Sequence, residues 1–145
     1  MILTIRNTTL KDLVYFYQNV RVLDKVETGL MSELRLADTS INDLADSQVL
    51  VDEDDNVYAL GGINGKCIWL LCTHKVEENP ITFLRYCRRY FDSWLRGRVV
   101  TNFAWLGNRL HIEWLKWVGA VFVGKPLNNF QQFIIDSRKE SDTNV

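Results

Sequence analysis

The apolar positions first alternate and then fall into helical spacing. Ile2 to Arg6 alternates well enough to predict a short first strand. Thr8 or Thr9 can then cap a helix running through Leu13, Tyr17 and Val20. Asp12 would sit in its first turn, where a carboxylate favours the helix dipole. Gly29 is expected to end that helix or a short second one. Met31 to Asp46 is polar and acidic and follows no single period, so Leu34, Ile41 and Leu44 suit a helix or a packed loop equally. From Ser47 the pattern turns to strands. Gln48–Asp52 is one, Asp54-Asp55-Asn56 is a turn, and Val57–Ile63 is the next. Asn64-Gly65 is the strongest hairpin signal in the chain. Cys67–Thr73 follows, apolar on both faces as a central strand would be.

A long helix should begin at Asn79 or Thr82, with Pro80 tolerated in its first turn. Its apolar stripe is Leu84, Cys87, Phe91, Trp94 and Leu95, with Arg85, Arg88, Arg89 and Arg96 on the other side and Gly97 as the stop. Val99–Leu106 reads as a strand. Asn108 would cap the next helix, whose inward face includes His111, Leu115 and Val118, and which Trp114 can join. Gly119 ends that helix. Ala120–Gly124 and Phe130–Ile135 would form a closing hairpin across Lys125–Asn129, before a charged tail from Ser137 that is expected to fray. A meander combined with two helical crossovers gives an α+β sheet rather than a doubly wound one. Residues 1–136 are expected to form one domain and 137–145 a disordered tail.

Composition narrows the classes. A length of 145 residues suits one domain with a real core, and a net charge of −1 creates no global field toward nucleic acid or membrane. The three cysteines, Cys67, Cys72 and Cys87, form no Cys-x-x-Cys pair and read as reduced, buried thiols. With only two histidines, far apart, no metal site is expected. The N-terminus has no basic region followed by a long apolar one, and no apolar run reaches membrane-spanning length. Action in the compartment of synthesis, or packaging from there, is the expectation.

Few constellations carry chemistry. His111 could serve as a general base, since histidine titrates near neutrality, although a packed histidine is the favoured reading. His74 lies in a loop where it could touch a ligand or simply face solvent. The arginines are the one concentrated charge patch, suited to nucleic acid or an acidic protein surface, with a solvated face paired to Asp92 as the favoured alternative. No motif with interleaved exposed aromatics supports nucleic acid. Trp69, Trp94 and Trp105 fall on expected core faces. Trp114 and Trp117, three apart on one helix, leave it apolar around most of its circumference, a pattern that suits a protein contact for one of them as well as a broad core helix. Asp52-Glu-Asp-Asp55 lacks the glycine and spacing of a calcium loop, and Gly61-Gly62 opens no helix.

The element order resembles the GNAT acetyltransferase fold. Ile5-Arg6-x-x-Thr9-x-x-Asp12-Leu13 looks like the usual start of such domains. Asn108-x-x-His-Ile-x-x-Leu115-x-x-x-Gly119-Ala-x-Phe122 looks like their closing helix and turn. Tyr58-Ala-Leu-Gly-Gly62, Gly65-Lys-Cys-Ile-Trp69, Trp105-Leu-Gly-Asn-Arg-Leu-His-Ile112 and Val118-Gly-Ala-Val-Phe122 are further similar to a small internal virion or assembly protein of short-tailed, podovirus-type bacteriophages. That likeness runs from about Ile2 to Ile135 and is weakest between Met31 and Asp46. It implies a phage origin, phage or host proteins as partners, and action in the host cytoplasm during assembly or in the virion interior.

In GNAT enzymes the strand matching Cys67–Thr73 leads into a Gln/Arg-x-x-Gly-x-Gly/Ala loop, whose N–H groups cradle the acetyl-CoA pyrophosphate. Here the loop is Thr73-His-Lys-Val-Glu-Glu-Asn-Pro-Ile-Thr82, without glycine, with two glutamates and with Pro80 in place of one donor. By the resemblance, Cys72, Thr73, His74, Lys75 and Asn108 are the candidates for cofactor contact. The position that often carries a tyrosine acid in GNAT enzymes matches Leu115, which has no proton to give. The resulting expectation is a non-catalytic interaction or scaffold module in virion assembly, with Arg85, Arg88, Arg89, Arg96, Trp114 and Trp117 as candidate contacts and no cofactor. The second expectation is an acetyl-CoA-dependent N-acetyltransferase using His111 or an acid from 31–46 as base. The third is an effector that binds a host protein.

Overall fold

The computed structural model describes residues 2–33 and 47–138. The chain divides into two compact units, Met1–Asn64 with Ile68–Phe83, and Gly65–Cys67 with Leu84–Val145. Its strands are β1 (Thr4–Asn7), β2 (Gln48–Val51), β3 (Val57–Asn64), β4 (Cys67–Cys72), β5 (Val99–Trp105), β6 (Val121–Leu127) and β7 (Phe130–Asp136). They run in one sheet in the order β1-β2-β3-β4-β5-β7-β6. The pairing is antiparallel for β1/β2, β2/β3, β5/β7 and β6/β7, and parallel for β4/β5 at Cys67 and Thr101. Helices α1 (Leu10–Asn19), α2 (Val22–Glu33), α3 (Lys75–Glu78), α4 (Pro80–Trp94) and α5 (Arg109–Trp117) fill the connections. The architecture is α+β, mostly antiparallel, with flanking helices.

In the first unit, Thr9 caps α1 through a reciprocal pair. Its hydroxyl accepts the Asp12 N–H (3.3 Å), and the Asp12 carboxylate accepts the Thr9 N–H (2.8 Å). Asp12 is also the buried first residue of the inward face, held by the Arg6 guanidinium. This shifts the helix phase. Phe16, one turn on, enters the core with Val49, Val51, Val57 and Leu60. Tyr17 is 60% exposed together with Leu10 and Val14. Gly29 does not stop a helix, because α2 runs through it to Glu33. The uncertain stretch 34–46, with Leu34, Ile41 and Leu44, lies outside the described residues.

The second unit packs Cys87, Leu95, Val100, Ala104, Ile112, Leu115, Phe130, Phe133 and Ile135. Gly97 and Gly119 leave α4 and α5 with φ of 73° and 102°, the left-handed conformation a helix stop needs. The closing hairpin is tighter than expected. Lys125 to Leu127 belong to β6, and the turn is Asn128-Asn129, both at positive φ (51° and 64°). Proline fits there because β6 is the sheet's edge, and Gly124 (φ 72°) sits where the register with β7 slips.

Candidate functional site

Cys72, Thr73, His74 and Lys75 stand together in the first unit, where β4 meets α3. The end of β4 is bonded to the α1–α2 junction. The Arg21 N–H donates to the Cys72 carbonyl (2.8 Å), and Val20 bridges to Thr73 in antiparallel fashion. The Arg21 side chain is buried beneath. Its guanidinium donates to Asp24 (2.8 Å) and Glu77 (2.6 Å), and the second Asp24 oxygen accepts the Cys72 N–H (2.7 Å). Burial works against the Arg21 charge, but Asp24 and Glu77 outweigh it and hold the guanidinium above its ordinary pKa. Sequence reasoning missed this pair. Its only local signal is Arg21 and Asp24 three residues apart where the helix begins, since Glu77 is 56 residues away.

The same segment consumes its own donors. After Cys72, the Thr73 N–H goes to the Tyr58 carbonyl (3.0 Å), and the His74 N–H goes to the Asn19 carbonyl (3.0 Å). Lys75 N–H donates to Thr73 Oγ1 (3.3 Å), Val76 N–H to the Thr73 carbonyl (3.3 Å), and Glu77 N–H to the His74 carbonyl (3.1 Å). Thr73 is fully buried, with its hydroxyl donating to the Val57 carbonyl (2.7 Å). His74 is exposed, and its Nε2–H donates to Asn19 Oδ1 (2.9 Å). Glu78 takes the Lys75 ammonium at 3.4 Å and holds its pKa above the ordinary value. An anion cradle needs a row of N–H groups aimed outward. The six consecutive N–H groups from Cys72 to Glu77 are instead spent inside the chain, and the adjoining side chains Glu77 and Glu78 are acidic. These six N–H groups are therefore not aimed outward as a pyrophosphate cradle requires.

In the second unit, Asn108 is buried but makes no side-chain cap to α5; its carbonyl instead accepts the Ile112 N–H (3.1 Å). His111 is half-buried, and the inward face of α5 is Ile112, Trp114 and Leu115 rather than His111 and Val118. Of the two tryptophans, Trp114 is buried and Trp117 is 40% exposed, with the Arg88 guanidinium 4.9 Å from its ring centroid. Arg85, Arg88, Arg89 and Arg96 are exposed on α4 and just beyond it. The expected pairing with Asp92 is not made: Asp92, also exposed, forms no ion pair among the described residues. Trp69, Trp94 and Trp105 are half-buried, at the margin of the core rather than inside it. None of the three cysteines is in a disulfide, and burial pushes the Cys87 thiol up to about 12, so it stays protonated and unreactive at neutral pH. Among the described residues, no group of three or more His, Cys, Asp or Glu could hold a metal, and no helix is long and apolar enough to cross a membrane.

Solved structures with this arrangement include some described as N-acetyltransferases or GNAT domains. A spermidine N-acetyltransferase SpeG chimera from Vibrio cholerae and hSSAT superposes with a TM-score of 0.62 at 15% identity, over 97% of this chain and 98% of that one. The GNAT domain of S. lividans PAT gives 0.60 at 12% identity, over 91% and 89%. Apo-form YjaB from Escherichia coli gives 0.56 at 15%, over 94% and 98%. At these identities the likeness establishes the fold, which is GNAT-like. No curated protein matches the chain. The family model described as "Bacteriophage T7, probable scaffold protein Gp13" matches residues 47–125, more than half of the chain.

Proposed function

Because the chain belongs to the phage T7 Gp13 scaffold-protein family, we propose that it is a non-catalytic interaction module of virion assembly built on an acetyltransferase fold. The observation that carries this reading is the row of internally satisfied N–H groups from Cys72 to Glu77. A fold whose enzymes bind an anionic cofactor after this strand has here spent these donors on Asp24, Asn19, Tyr58 and the α3 turn itself. Leu115, in the position where a tyrosine acid is expected, is buried and offers no proton. The protein acts on phage or host proteins in the host cytoplasm as particles form, and travels from there into the virion interior. Acetyl transfer with His111 as base rests on the shared fold alone. Phage lacking this chain tests the reading: fewer infectious particles or an altered set of internal proteins is expected, and normal particles in normal yield would contradict it.

A further inference from the structure

We propose that the arginine face of α4, together with Trp117, docks an acidic and partly apolar segment of another protein in the assembling particle. This rests on the assembly reading above and names the surface and the partner chemistry it uses.

Arg85, Arg88 and Arg89 lie at spacings of three and four along α4, so they share one face, with about 5 Å of rise per turn. Arg96 and Arg98 extend the patch past the helix end. All five are exposed and form no ion pair among the described residues. Five unpaired cations repel one another unless an anion is brought to them. Each is an arginine, whose planar fork binds carboxylates two-pronged where a lysine offers a point charge.

Among the described residues, most exposed carboxylates already have a partner, Asp54 and Asp92 excepted. Glu53 accepts the Ile2 N–H, and Asp55 and Glu77 pair with Arg6 and Arg21. Glu78, Glu113 and Asp136 pair with Lys75, Lys116 and Arg138. These leave too few unengaged charges among the described residues to match five arginines, so the complementary charge is assigned to another chain. Trp117 decides between a protein and a nucleic acid. It is a single exposed indole with Arg88 over its ring, the pairing that anchors protein interfaces. Single-stranded nucleic acid would call for several exposed rings, but Tyr86 and Tyr90 are half-buried and stack on each other at 6.3 Å.

The full chain can be titrated at low salt with three probes of matched charge: a glutamate–tyrosine copolymer, polyglutamate and duplex DNA. The copolymer should bind tightest. Combined Arg85→Glu, Arg88→Glu and Arg89→Glu should weaken it about tenfold or more. Trp117→Ala should reduce its advantage over polyglutamate about threefold. Lysine at the three positions should keep part of the affinity, and circular dichroism should show every variant folded. Tighter binding to DNA, no binding to any probe, indifference to charge reversal, or a dimer that the reversal disperses would each overturn the proposal. In phage lacking the chain, the wild-type gene should restore particle yield and the triple reversal should not. Full rescue by the triple reversal would sink this surface but leave the assembly reading intact, whereas normal yield without the chain would sink the assembly reading itself.

Discussion

Arg21 and Arg88 show two uses of the same side chain. Arg21, 5% exposed, is held by Asp24 and Glu77 and sits under the end of β4. Arg88, in the other unit, is exposed, with its guanidinium 4.9 Å from the Trp117 ring centroid. The first unit turns its charges inward. Asp12, Arg21, Asp24 and Glu27 are all buried, while Leu10, Val14 and Val22 face out. The second unit leaves the arginines of α4 and just beyond it outward, without an ion pair among the described residues. Charge spent inside a fold fixes geometry at a desolvation cost, and charge left outside is available to a partner. On this account the unit that would hold the cofactor in an enzyme has become structural, and the protein's interactive charge lies in the other.

The largest expected effect comes from opening the inward network. Asp24→Ala removes both the Arg21 bond and the acceptor of the Cys72 N–H. It should cost about 3–5 kcal/mol in urea unfolding; a loss under 1 kcal/mol would mean the network is decorative. Gly61→Ala comes next. A Cβ there would stand 2.8 Å from the Trp69 carbonyl oxygen, so the backbone must shift, at about 1–3 kcal/mol. Thr9→Ala removes one half of the reciprocal cap and should cost about 1 kcal/mol.

Acid should distinguish the units as well. Burial opposes ionisation of Asp12, but Arg6 and the Thr9 N–H and hydroxyl outweigh it and hold its carboxyl below the ordinary carboxylate value. Asp52 is lowered in the same way: burial opposes it, and the Asn56 side chain with the N–H groups of Asn56 and Asp54 prevails. The unfolded chain therefore takes up these protons at higher pH than the folded one. Their stabilisation is complete above about pH 4 and fades as pH falls through the lower folded values. Asp12→Asn should be less stable than wild type at pH 7 and converge on it in acid; parallel curves would contradict this assignment. The smallest effect is expected on the outward face. Arg85→Ala, Arg88→Ala and Arg89→Ala should each stay within about 0.5 kcal/mol of wild type. A larger loss would show that the stripe is structural.

Much of the fold was legible because its signals are local. Short strand-like runs bounded by turn residues marked β2, β3 and β4, the last apolar on both faces, and Pro80 with Gly97 bracketed α4. What failed required knowledge of distant partners. Asp12 does not look like a core residue, yet Arg6 neutralises it there and Phe16 follows one turn on. Gly29 reads as a stop only if the chain leaves the helix; with open space around its Cβ position, α2 passes through it. Pro126 read as loop although an edge strand tolerates it. At the candidate site, the missing glycines were visible in Thr73–Thr82, but the destination of each N–H group was not, because Asn19, Asp24 and Tyr58 are remote in sequence.

The most direct measurement is thermal unfolding of the full chain with and without millimolar acetyl-CoA. A ligand present at about a hundred times its Kd adds roughly 2.7 kcal/mol and raises the Tm of a chain this size by roughly 5–10 °C. The account predicts no change in Tm at any acetyl-CoA concentration; a saturable rise would contradict it.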